Sequence, residues 1–84
     1  MDGAATTARP GSYRALRDEV AVLISIDPAK LAPDDSLLDW GMDSVRAMTY
    51  TARLMEAGIE IPLMEFAESP TLRFLATRLG LEVS

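Results

Sequence analysis

The stretch Gly41-Met42-Asp43-Ser44-Val45-Arg46-Ala47-Met48-Thr49-Tyr50-Thr51-Ala52-Arg53-Leu54-Met55-Glu56-Ala57-Gly58 carries its own start and stop signals for a helix. Asp43 stands where a carboxylate caps the free amides of a first turn and complements the positive end of the helix dipole. Gly58 accepts the left-handed backbone in which helices commonly end. At about 100° per residue the side chains between them fall into two stripes. One contains Ala47, Tyr50, Thr51 and Leu54, the other Val45, Met48, Ala52 and Met55. Only one stripe faces a core fully. Met48 and Met55 on the other are either core filler or an apolar surface left for a partner, a use to which methionine adapts well.

Working outward, Ser12 is a plausible N-cap for a first helix in which Tyr13, Leu16, Val20, Leu23 and Ile24 recur at helical spacing. It is expected to stop near Ser25, because Asp27-Pro28 biases the chain away from the α region. From Asp27 to Asp43 no periodicity is sustained, which predicts a long loop pinned by Leu31, Leu37, Leu38 and Trp40. Ile59-Glu60-Ile61 alternates but has no partner strand, so an extended linker is expected, followed by a short helix from Pro62 to about Ala67. Ser69-Pro70 reads as N-cap and first helical position of a last helix with the stripe Leu72, Leu75, Ala76 and Leu79, closed by Gly80. The expected fold is all-α: a four-helix bundle of three longer helices and one short, with a long loop between helices 1 and 2. Residues 1–11 lack periodicity and are expected to fray, 12–80 to form the domain and 81–84 a tail.

The chain has 84 residues, 49% of them hydrophobic and 25% charged, which suits one small core. Thirteen acidic residues against eight basic give a net charge of -5, which disfavours nucleic acid and anionic membranes. There is no cysteine and no histidine. A disulfide, a thiolate nucleophile, a Cys-containing zinc site and the usual general base are all ruled out. The longest apolar run, Val20 to Ile24, is far short of a membrane span. The expectation is a soluble, cytoplasmic, monomeric protein. Asp34, Asp35, Asp39 and Asp43 lack the order of a calcium-binding loop and read as turn formers and a solvated rim, so no metal site is expected.

The chemistry concentrates around Ser44, whose hydroxyl stands at the mouth of a helix behind a turn that Gly41 allows to be tight. Free amides and the helix dipole favour a phosphate there. On geometry alone the simpler reading prevails, in which Asp43 is a cap, Ser44 an ordinary first-turn residue and Gly41 a turn glycine. As a nucleophile of its own Ser44 is weak, since no histidine and no Ser-x-x-Lys pair is present to activate it. It suits a site modified by another enzyme better than a catalytic serine.

Gly41-Met42-Asp43-Ser44 followed by a helix resembles the phosphopantetheine attachment motif of acyl, peptidyl and aryl carrier proteins. The resemblance runs from about Tyr13 to Leu79 and includes the first helix, the loop with Leu37 ahead of the motif, and Ser69-Pro70-Thr71-Leu72. It implies that Ser44 receives a 4'-phosphopantetheine from coenzyme A within a separate phosphopantetheinyl transferase, with Asp43 helping to orient that complex and its magnesium ion. The chain would then be no enzyme. It would hold an acyl group as a thioester on an imported thiol, in keeping with the missing cysteine.

The helix after Ser44 carries Arg46, Arg53 and Glu56 and is not acidic, unlike that of fatty-acid carriers. Asp-Ser-Val-Arg is more similar to the aryl carriers of siderophore assembly, and next to stand-alone peptidyl carriers. Those aryl carriers are often fused to an isochorismatase, so this chain is expected to be either a stand-alone carrier or an excised domain. The implied cargo is aryl or aminoacyl, β-aminoacyl included. The implied partners are a stand-alone adenylating enzyme and a downstream acyltransferase or condensation enzyme of a nonribosomal peptide or polyketide-type pathway. The resemblance places Met48, Leu63 and Ala67 on a partner-facing surface, joined by Met42 and Val45; Arg46 pairs with a partner carboxylate or with an acid of its own chain. The rival readings are a fatty-acid or polyketide acyl carrier and an unmodified acidic helical interaction module.

Overall fold

Four helices form where the caps and stripes place them, in a computed structural model that describes residues 9–83. Residues 1–8, most of the segment expected to fray, and Ser84 lie outside the described residues. Helix α1 spans Tyr13–Ile24; the Ser12 hydroxyl accepts from the Ala15 amide at 3.1 Å, and Ser25, in the left-handed region at φ 61°, ends it. Helix α2 spans Ser44–Glu56, α3 Leu63–Glu68 and α4 Leu72–Leu79. No strand occurs among the described residues.

The stripes resolve as only a small core allows. Leu16 and Val20 of α1, Leu54 of α2, and Leu72 and Leu75 of α4 are fully buried, with α1 packed on α4. Each such side chain contributes about 2 kcal/mol through removal of apolar area from water. On α2 the stripe Ala47, Tyr50, Thr51 and Leu54 faces the core, and the stripe with Val45, Met48, Ala52 and Met55 faces solvent. Ile59 and Ile61 are both buried, which fixes the linker so that α3 lies beside the outward face of α2.

The loop between α1 and α2 is not bare. Pro28–Lys30 form a 3-10 turn capped by the Asp27 carboxylate, which accepts from the Ala29 amide at 3.0 Å. Leu31 and Leu37 pin the loop as expected and Trp40 does so in part, its indole N–H donating to Asp35 Oδ2 at 3.2 Å. Leu38, in contrast, is 51% exposed. Leu37 takes the core position and its neighbour turns outward.

Two boundaries differ from expectation. Helix α4 starts at Leu72, capped by Thr71, whose hydroxyl accepts from the Phe74 amide at 3.1 Å. Ser69 instead terminates α3, and the Pro70 carbonyl is taken by the Leu37 amide at 2.8 Å rather than by the helix. Accordingly, Thr71→Ala lowers stability by about 1 kcal/mol whereas Ser69→Ala changes it by less than half of that, as denaturant midpoints will read. At the other end, Leu81 and Val83 pack on the core, and the Leu81 amide donates to the Ala76 carbonyl at 2.8 Å. The packed unit therefore continues past Gly80 into the expected tail.

Candidate functional site

The turn before Ser44 is built by backbone bonds onto two carbonyls. The amides of Trp40 and Met42 both donate to the Leu37 carbonyl at 3.1 Å, and the Gly41 amide donates to Leu38 at 3.2 Å. Closing the chain that tightly puts Gly41 at φ 107°, a conformation side chains resist, although a Cβ would meet nothing there. The same closure turns Met42 inward. It is 3% exposed and belongs to the core, so its side chain is not on the outward surface where the resemblance set it.

Asp43 then caps α2 through both oxygens: Oδ1 accepts from the Arg46 amide and Oδ2 from Arg46 Nη1, each at 2.8 Å. The Arg46 amide, followed by its guanidinium charge, holds the Asp43 carboxyl below the usual carboxylate range. Arg46 thus meets an acid of its own chain, while its side chain stays about half exposed. Ser44 is the first residue of the helix, exposed, and its hydroxyl makes no hydrogen bond among the described residues.

A carboxylate whose folded-state pKa is depressed stabilises the fold above its unfolded pKa of about 3.9 and loses that contribution as pH falls through the lower folded value. Asp34, paired with Arg73 through Nη2 at 3.1 Å, is depressed in the same direction, first by that hydrogen bond. Melting temperature is therefore expected to be flat above pH 5 and to fall below pH 4. Asp43→Asn, which keeps a capping oxygen without the charge, makes that fall shallower.

The helix behind Ser44 is held from both sides. Tyr50 Oη donates to Glu19 Oε1 at 2.9 Å, tying α2 to α1, and burial together with the nearby Glu19 carboxylate pushes the phenol above its ordinary pKa of about 10. In front, an apolar groove of about 230 Å³ opens between α2, α3 and the loop, with Ser44 at its edge. Met48, Leu63 and Ala67 line it together, and Val45, 71% exposed, stands beside Ser44 on the same helix. Leu38 and Met64, which sequence reasoning missed for this surface, line it too. Neither carried a usable local signal: Leu38 follows Leu37 in a loop without a period, and Leu63 and Met64 are both exposed, at 42% and 78%.

The description "Phosphopantetheine attachment site" matches residues 14–79, with Ser44 and its turn inside the match. The chain belongs to the phosphopantetheine-attachment family of carrier proteins. Members are non-catalytic carriers whose prosthetic group is a covalently attached 4'-phosphopantetheine. Among curated relatives the carrier is 35% identical over 63 residues to phenyloxazoline synthase MbtB of Mycolicibacterium paratuberculosis, covering 75% of this chain and 5% of that protein. It is 36% identical over 67 residues to isochorismatase of Bacillus subtilis, covering 75% and 22%. It is 30% identical over 67 residues to nonribosomal peptide synthetase 2 of Gibberella zeae, covering 80% and 1%. The chain therefore spans a small part of each of these relatives. No solved structure matches significantly. Among the described residues no helix is long and apolar enough to cross a membrane.

The site fits the family's group. An exposed hydroxyl with no hydrogen-bond partner among the described residues stands at the tip of a helix, and an apolar groove begins at its edge.

Proposed function

We propose that Ser44 carries the 4'-phosphopantetheine, and that the chain holds an aryl or aminoacyl group on it, β-aminoacyl groups included, for successive enzymes of a nonribosomal peptide or polyketide-type pathway. The observation that carries the reading is the exposed Ser44 hydroxyl, without a hydrogen bond among the described residues, at the first position of α2 and within the matched span. Further support comes from relatives named as a phenyloxazoline synthase and a nonribosomal peptide synthetase.

In this reading Ser44 Oγ attacks the pyrophosphate of coenzyme A inside a phosphopantetheinyl transferase. The Oγ–P bond forms as the phosphoanhydride breaks, the nucleotide half leaves, and the hydroxyl proton passes to the transferase. Gly41 keeps the approach open, and Asp43 holds the turn and helps orient the transferase complex with its magnesium ion. The attached arm supplies the thiol that this cysteine-free chain lacks. Val45, Met48, Leu63 and Ala67, with Arg46 beside them, form the surface met by the transferase, a stand-alone adenylating enzyme and a downstream acyltransferase or condensation enzyme.

Incubation with coenzyme A, magnesium and a promiscuous transferase is expected to add the mass of one phosphopantetheine, on the peptide that contains Ser44. An unchanged mass refutes the reading. The surface has its own test: Met48→Ala, at a residue 55% exposed, reduces acyl transfer from a cognate adenylating enzyme by about five- to tenfold. Its melting temperature stays within about 2 °C of the parent, as expected for an exposed residue.

A further inference from the structure

Four of the chain's five methionines lie among the described residues, and they divide sharply. Met42 is 3% exposed, whereas Met48 and Met55 are each 55% exposed and Met64 78%. The three outward ones share one face. Met64 lines the groove that begins at Ser44, Met55 lines a shallower one beyond it, and Met48 lines both. None of the three belongs to the buried core cluster, which holds Met42.

A thioether differs in one chemical respect from the leucine or isoleucine that would cover an apolar face equally well: it can be oxidised and reduced again. An oxidant of the peroxide class supplies the forward step. The sulfur attacks one peroxide oxygen, the S–O bond forms as the O–O bond breaks, the sulfur gives up two electrons, and water leaves. A methionine sulfoxide reductase reverses it, releasing the oxygen as water while two thiols become a disulfide. The described chain has no cysteine, so no thiol of its own competes for the oxidant.

Oxidation here changes the face and spares the fold. The sulfoxide oxygen is a hydrogen-bond acceptor that water satisfies on the free carrier and that a docking partner would have to desolvate. Met48, one turn beyond Ser44, sets that acceptor where the two grooves meet. The buried Met42 is shielded, so the packing under the Ser44 turn is kept.

We propose that Met48, Met55 and Met64 form a reversible oxidation site: their conversion to sulfoxides withdraws the carrier from its partner enzymes without unfolding it, and their reduction returns it. The partner half of the proposal rests on the reading of Ser44 and its surface given above; the order of oxidation does not.

The test treats the full chain with dilute hydrogen peroxide, desalts it, and offers it subsaturating to a transferase with coenzyme A and magnesium. Peptide masses are expected to show oxygen gained at Met64 first, Met48 and Met55 next and Met42 last. The melting temperature stays within about 2 °C of the untreated chain. The rate of phosphopantetheine uptake falls about fivefold and recovers after incubation with methionine sulfoxide reductases and dithiothreitol. In the combined variant Met48→Leu, Met55→Leu and Met64→Leu, compared with its own untreated form, peroxide leaves the rate unchanged. Oxidation of Met42 as early as Met64, a marked fall in melting temperature, an uptake rate indifferent to oxidation or not restored by reduction, or equal sensitivity of the leucine variant overturns the proposal while leaving Ser44 as the tether. An untreated chain that gains no mass overturns the reading of the serine, and the partner half with it.

Discussion

Ser44→Ala takes up no phosphopantetheine while its helical content and melting behaviour stay those of the parent. The two halves of this result have separate causes. Loading requires an oxygen nucleophile at the first position of α2, and alanine has none. Stability does not require it, because the cap belongs to Asp43, whose carboxylate holds the Arg46 amide. The Ser44 hydroxyl is exposed and makes no hydrogen bond among the described residues. Alanine is a good helix former, so the change in stability is within about 0.5 kcal/mol. Intact mass after incubation with coenzyme A and a transferase reads the first half, and thermal denaturation the second. A variant that still gains the mass places the attachment elsewhere. A variant that melts well below the parent makes Ser44 a structural residue.

Leu37→Ala is expected to be the most damaging single substitution in the loop, costing about 3 kcal/mol. The side chain is fully buried. It also sits at the centre of the backbone knot before the site: its amide donates to Pro70, and its carbonyl accepts from both Trp40 and Met42. Removing the side chain leaves a cavity that this knot prevents from collapsing. For a domain of this size, total stability is about 4–13 kcal/mol. A loss of 3 kcal/mol lowers the melting temperature by about 15 °C. The neighbouring Leu38→Ala supplies the contrast, because that side chain is half in solvent and its truncation costs under about 0.5 kcal/mol. Denaturant unfolding distinguishes the pair, and equal losses would contradict the burial pattern.

Adjacent residues with opposite fates also show where the sequence was readable. Helices α1 and α2 declared themselves because periodicity and caps agreed: Ser12 and Asp43 cap as expected, and the inward stripe of α2 holds Tyr50 and Leu54. The loop offered no period, so the inward turn of Leu37 and Met42 and the outward turn of Leu38 went with backbone bonds, one of them reaching Pro70, that no periodicity encodes. The start of α4 was read from Ser69-Pro70 alone. A contact from residue 37 occupies the Pro70 carbonyl, and Thr71 caps the helix instead. In the site, Ser44, Asp43 and Gly41 were legible as a motif. Met64 was not, since six residues of α3 are too few to establish a face.

The bonds from Leu37 to Pro70 and from the Arg73 amide to Pro33, with the Arg73–Asp34 ion pair, fasten the middle of the chain to its last helix. The posture of the serine is consequently set by residues some thirty places downstream of it in the sequence. The final helix acts as a clasp. Peeling it away, by truncation or by traction on the C-terminal end, is expected to slacken the turn that presents the hydroxyl before α1 and α2 have parted.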